Sequence, residues 1–210
     1  MTDVERPGAQ EWVPEHPDLT ALRAAAPACH GCELHREGTQ VVFSAGSADA
    51  RIMLVGEQPG DQEDRAGEPF VGPAGRLLAS AVERAGIDRS TVYVTNAVKH
   101  FHHEQRGKRR IHQKPSVAHV VACHPWLEAE LAVVRPEVVV ALGATAARSV
   151  LGRSVTIGRE RGRLQELDDG SRLLVTTHPS ALLRMPDEDA RHAAFDELVA
   201  DLRTAAGALR

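Results

Sequence analysis

The chain has 210 residues, 42% apolar and 26% charged, with a net charge of −4. Those values suit one soluble domain with a core of its own and exclude a protein basic over its whole surface, so any nucleic-acid contact has to be found in local charge. No apolar run approaches the roughly 20 residues of a membrane helix, and the acidic, Pro-bearing N-terminus lacks the apolar centre of a signal peptide. A cytoplasmic protein without membrane contact is expected, and the absence of a heptad seam makes it a monomer.

Residues 1–27 read as a weakly structured N-terminal arm, apart from a short helical stretch near 18–26, ahead of a domain at 28–210. Cys29 and Cys32 then form a CxxC, and Cys123 stands alone. Three cysteines in a reducing compartment point to metal ligation rather than disulfides. CxxC plus Cys123 supplies three ligands. His100 or His124 supplies a fourth, and a zinc site and an iron–sulfur cluster both fit that set.

From residue 52 the chain alternates. Apolar runs at Ile52–Val55, Val92–Thr95, Val138–Leu142 and Leu173–Thr177 predict buried strands. Helical patterns at 73–86, 116–133, 144–151 and 187–207 follow them in turn. This order predicts an α/β fold, a mostly parallel four-stranded sheet between helical layers. Between Lys99 and Lys114 lie six Lys/Arg (Lys99, Arg106, Lys108, Arg109, Arg110, Lys114) against one acid, Glu104. An acidic chain with one basic segment suits a partner that touches only that side.

The strand ends carry the chemistry. Gly56-Glu57-Gln58-Pro59-Gly60 follows the first strand and Asn96 the second; Gly143-Ala144-Thr145 follows the third and His178-Pro179-Ser180 the fourth. In open parallel sheets the ligand crevice lies beyond the carboxyl ends of the strands. Glu57, Gln58, Asn96 and His178 should therefore meet there. One polar residue at a strand end can simply cap the next helix; four of them favour a site.

These residues carry a resemblance. Gly56 to Gly60 with Glu63-Asp64, followed by Gly67-Glu68-Pro69-Phe70-Val71-Gly72-Pro73-Ala74-Gly75, resembles the first motif of the family 4 uracil-DNA glycosylases. Val94 to Lys99 resembles their second and His178-Pro179-Ser180 their third. The resemblance implies a four-stranded parallel sheet between helices, a [4Fe–4S] cluster, and uracil-containing DNA as partner. His100 stands where that family usually has a cysteine, so the implied ligands are Cys29, Cys32, His100 and Cys123. Two further departures, Gln58 in place of a glycine and the loop Lys108-Arg109-Arg110-Ile111-His112, are similar to the UdgX group. In that group the loop histidine bonds to the deoxyribose once uracil has left.

The resemblance implies a role for each of these residues. The target nucleotide is flipped from a duplex or taken from a single strand, the preferred substrate. Gly56 and Gln58 line the uracil site, Phe70 stacks on the base, and Asn96 offers a donor and an acceptor to its edge. His178 donates to the developing oxyanion at O2, Glu57 stabilises the cationic sugar, and His112 attacks it. Lys99, Lys108, Arg109 and Arg110 are the expected phosphate contacts. A hydrolytic glycosylase with His112 as bystander is the nearest alternative. A non-catalytic iron–sulfur DNA-binding, redox-sensing module is a further one.

Overall fold

In the computed structural model, which describes residues 6–209, the apolar runs become one sheet. In chain order the strands are β1 (Ser44–Ala45), β2 (Ile52–Gly56), β3 (Val92–Asn96), β4 (His103–Arg106), β5 (Arg109–His112), β6 (Val138–Leu142), β7 (Leu164–Glu166) and β8 (Arg172–Thr176). β3, β2, β6 and β8 lie side by side in that order and run parallel. This is the expected four-stranded core. The sheet itself has six strands, because β1 adds antiparallel to β3 at one edge and β7 to β8 at the other. Strands of two and three residues are too short for alternation to reveal them.

Alternating side chains serve two faces. Ile52, Leu54, Val140, Leu142 and Leu174 pack on Leu78 and Val82 of the Pro73–Arg84 helix and on Leu198 and Leu202 of the Glu188–Ala206 helix. Met53, Val55, Val139, Ala141, Leu173 and Val175 face Leu127, Val134, Ala146 and Ala147 of the Val117–Val134 and Ala144–Leu151 helices. Both faces are dry, which is why the strands read as continuous apolar runs. By length and composition the Val117–Val134 helix could cross a membrane, contrary to the expectation from uninterrupted runs; half of it is buried inside the domain.

A third cluster gathers Leu22, Leu34, Phe43, Val98 and Trp126 around Cys29, Cys32 and Cys123. The expected weakly structured arm contributes to it. Its first five residues lie outside the described ones, but Ala9 and Leu22 are buried and Trp12 and Val13 pack against the cluster. Gly8 N–H donates to Gly31 O at 3.0 Å and Ala9 N–H to Ala122 O at 2.8 Å. The reason is apolar content: Leu19 and Leu22 share one face of the Leu19–Ala25 helix, whose first turn Asp18 caps.

Candidate active site

The chain passes from β2 out to β3 and then back across to β6, so the topological switch falls between β2 and β6. Glu57 leaves β2 there, and its Oε2 accepts from the Thr145 hydroxyl at 2.5 Å. Thr145 lies in the first turn of the Ala144–Leu151 helix. It was not singled out from the sequence, although it follows a strand end as the chosen residues do.

Beside Glu57 opens a cavity of about 370 Å³ lined by Gln58, Phe70, Asn96, His112, His178 and Arg184, among others. Gly56, expected to line the site, is not among the lining residues but packs behind two of them: a Cβ there would lie 2.3 Å from Asn96 Oδ1 and 2.7 Å from Phe70 Cζ. Phe70 has a left-handed backbone, φ 58°, uncommon for a bulky residue. A Cβ on Gly75 would strike its carbonyl oxygen, so that turn rests directly on the Pro73–Arg84 helix. Asn96 ends β3 and is buried.

His178 caps the Pro179–Leu183 helix, accepting at Nδ1 from Ser180 N–H at 3.1 Å, with the Ser180 hydroxyl 2.8 Å away. A nitrogen that accepts from a backbone amide carries no proton, so the neutral ring is protonated at Nε2 and can donate there. Burial, with the His112 and Arg184 charges behind it, lowers its pKa to about 4. The ring is therefore neutral near pH 7. Leu183 and Arg184, also unforeseen, line the same cavity, and Leu183 is exposed.

His112 stands opposite, its Nε2 3.6 Å from Glu57 Oε1. Burial lowers its pKa below the ordinary histidine value; Glu57 opposes this, and Arg184 and His102 reinforce it. A lowered pKa leaves a lone pair on one ring nitrogen at neutral pH. The segment expected as a loop is a hairpin: β4 pairs antiparallel with β5, His103 opposite His112. Gly107, with φ 59°, makes the turn, so Lys108 and Arg109 stand exposed at and beside the tip.

Two expected phosphate contacts, Lys99 and Arg110, are corrected. Lys99 is buried, with its Nζ 2.5 Å from Glu130 Oε2; a lysine enclosed with its counter-ion cannot reach a phosphate. Arg110 Nε lies 2.5 Å from Asp61 Oδ1 and its Nη1 2.6 Å from Asp64 Oδ2, with the guanidinium over the Phe101 ring. It fastens the hairpin to the Asp61–Ala66 helix. Gln58 does line the cavity, but its carboxamide clamps the base of the hairpin. Nε2 donates to His102 O and Gln113 O at 3.2 and 2.9 Å, and Oε1 accepts from His102 N–H at 3.1 Å. Gln58 and the Lys108–His112 segment are thus one assembly, a glutamine and the hairpin it holds.

The thiols lie within one buried cluster, on the CxxC loop and the Val117–Val134 helix. Among the described residues no three His, Cys, Asp or Glu side chains close round a single ion. Lys99 N–H points at Cys123 Sγ and Trp126 Nε1–H at Cys29 Sγ, each at 3.3 Å, contacts that favour thiolates. Burial pushes the Cys32 and Cys123 pKa values up to about 11 and about 12, so ionisation in that cluster needs a cation. Buried His100 is held to about 4 by burial, with His35 next, and is neutral, as a ligand must be.

The profile of the Uracil DNA glycosylase superfamily matches residues 43–203. The chain is 37% identical over 171 residues to the Type-4 uracil-DNA glycosylase of Thermotoga maritima, covering 81% of this chain and 85% of that protein. It is 34% identical over 176 residues to the Type-4 uracil-DNA glycosylase of Pyrobaculum aerophilum, covering 80% and 86%. To the Type-5 uracil-DNA glycosylase of that organism it is 32% identical over 154 residues, covering 65% and 64%.

Proposed function

The chain belongs to the uracil DNA glycosylase superfamily, and we propose that it excises uracil from DNA and retains the abasic sugar covalently through His112, as in the UdgX group. One observation carries this reading: neutral His112 faces Glu57 across 3.6 Å, over the cavity that Asn96, Phe70 and His178 also line. A single-stranded substrate is preferred, because flipping a base from a duplex costs a few kcal/mol that a single strand does not require.

The steps follow from the residues. Phe70 stacks on uracil and Asn96 meets its edge; cytosine, with an amine in place of O4, reverses the pattern. As the bond from C1′ to N1 breaks, the electron pair leaves with uracil, and His178 Nε2–H donates to its O2. Glu57, oriented by Thr145, stabilises the cationic sugar. A lone pair of His112 closes a carbon–nitrogen bond at C1′. The ring's other nitrogen then loses its proton to solvent, which side-chain exposure of 46% permits, and the uracil anion takes a proton from water. Lys108 and Arg109 contact flanking phosphates.

We also propose that Cys29, Cys32, His100 and Cys123 hold a [4Fe–4S] cluster. When bound it would join the CxxC loop, the turn after β3 and the long helix. Cys123→Ala should lose iron, and full iron content in that variant would refute the ligand set.

The test of the whole reading is a denaturing gel of the protein heated with a labelled single-stranded oligonucleotide bearing one uracil, beside a thymine control. A shifted band with uracil alone is expected, and His112→Ser should abolish it while free abasic DNA accumulates over repeated turnovers. Alkali-labile DNA without a shifted band from the unaltered protein would mean hydrolysis instead. Intact DNA would leave a binding module.

A further inference from the structure

Lys99 stands between the thiol cluster and the strand end that carries Asn96. Its backbone N–H points at Cys123 Sγ, 3.3 Å away. Its side chain curls back so that Nζ donates to Asn96 O at 2.9 Å, Thr95 Oγ1 at 2.6 Å and Glu130 Oε2 at 2.5 Å. Three ammonium hydrogens meet three acceptors. Glu130 is matched in turn: its Oε1 accepts from the Thr95 and Tyr93 hydroxyls, both at 2.8 Å. The side chains of Lys99 and Glu130 are 1% and 0% exposed.

An ion pair so enclosed is a poor way to stabilise a fold. Desolvating two charges offsets most of their attraction, and apolar residues of similar volume commonly do as well. What an apolar pair cannot do is grip the Asn96 carbonyl. Asn96 is the last residue of β3, its ladder ends at Gly56, and the next two amides, Ala97 and Val98, bond to Gly56 O and Glu57 O. Among the side-chain hydrogen bonds described, the Asn96 carbonyl is held by Lys99 Nζ. We infer that the Lys99–Glu130 pair is a positioning device that fixes the peptide of Asn96, and with it the angle at which its carboxamide meets uracil. Lys99 would act through Asn96 without touching the base. The inference rests on the reading of Asn96 as the group that meets the uracil edge.

The experiment compares Lys99→Met/Glu130→Leu, an uncharged pair of similar shape, with the parent protein and with Asn96→Ala. Thermal unfolding is measured together with single-turnover base release at increasing DNA concentration. The double variant should unfold within a few degrees of the parent and reach half-maximal rate at a similar DNA concentration. Its maximal rate should fall about 10- to 100-fold, the penalty for a misplaced contact. Adding Asn96→Ala to it should slow release little further, since residues acting as a unit are not additive. A stable double variant that releases uracil at the parental rate, beside a slow Asn96→Ala, overturns the inference alone. A parental rate in Asn96→Ala overturns the reading of Asn96 and the inference with it. Glu130→Gln covers the case in which the double variant does not fold: it keeps the shape and removes the charge, so it too should slow release, and a parental rate in it refutes the device.

Discussion

Gly56 can carry no more than a hydrogen, because Asn96 Oδ1 and Phe70 Cζ converge on the space a methyl would take. Gly56→Ala should push the stacking ring or the carboxamide out of place. Uracil release should fall by about 100-fold, at about 1–3 kcal/mol of stability from overpacking; single-turnover kinetics beside thermal unfolding separates the two, and an undiminished rate would show that the walls yield. The two histidines add a pH dependence whose sign can be worked out. His178 is held near pH 4 and His112 below its ordinary value of 6.5, so the unfolded chain binds their protons first as pH falls. Stability from these groups is therefore complete above about 6.5 and declines towards 4. Base release and adduct yield should be level between pH 7 and 8 and fall on the acid side, as His112 loses its lone pair and then His178 its neutral ring. A rate that rises on acidification would contradict these roles.

At the scale of elements, the proposed retention of the product rests on the hairpin, which carries His112. Its sequence reads as a solvated basic loop, and only its tip behaves so. Arg110 was hidden as one of several adjacent cations; that it pairs with Asp61 and Asp64 depends on the Asp61–Ala66 helix, which lies 49 and 46 residues away along the chain. Asp64 is fully buried, so Arg110→Ala would leave its carboxylate without a counter-ion and held by Thr39 N–H, at a cost of about 3 kcal/mol. Uracil release should survive better than adduct formation, because the residues that contact the base lie outside the hairpin; equal losses on the gel would show that the hairpin also builds the base site. The tip makes the opposite prediction. Lys108→Gln with Arg109→Gln should leave unfolding unchanged and flatten the salt dependence of binding to single-stranded DNA by about 1.4 in log–log slope, at about 0.7 for each phosphate no longer neutralised. An unchanged slope would remove the tip from the DNA path.

Over the whole molecule, what was legible in sequence is what repeats or stands at a fixed place along a strand. The four buried parallel strands announced themselves by dry β-branched runs, and the cavity residues by following the carboxyl ends of those strands. Long-range pairings left no local trace: Lys99 reads as one more exposed cation until Glu130 closes on it, and the Gln58 carboxamide reads as a ligand contact until the hairpin base takes it. The arm is the same lesson at larger scale, since Gly8, Ala9 and Trp12 have no periodicity of their own and gain order from what they cover. They cover both thiol-bearing elements at once: Gly8 N–H bonds to Gly31 O, between Cys29 and Cys32, and Ala9 N–H to Ala122 O, beside Cys123. Arg6 adds an ion pair to Glu33, next to Cys32. Two backbone hydrogen bonds at about 1 kcal/mol each make about 2 kcal/mol, roughly thirtyfold in the equilibrium for local opening. Deleting residues 1–17, which spares the Asp18 cap of the first helix, should speed thiol modification, and loss of iron from the proposed cluster to a chelator, by about that factor. Uracil release measured before any iron is lost should stay near parental, because none of the arm's described residues lines the cavity. Gly31→Ala is the milder form, since a Cβ there would meet the Gly8 carbonyl carbon at 2.7 Å and lift the arm without removing it. Thiols that react at the parental rate in both proteins would show that the arm rests on the cluster without guarding it.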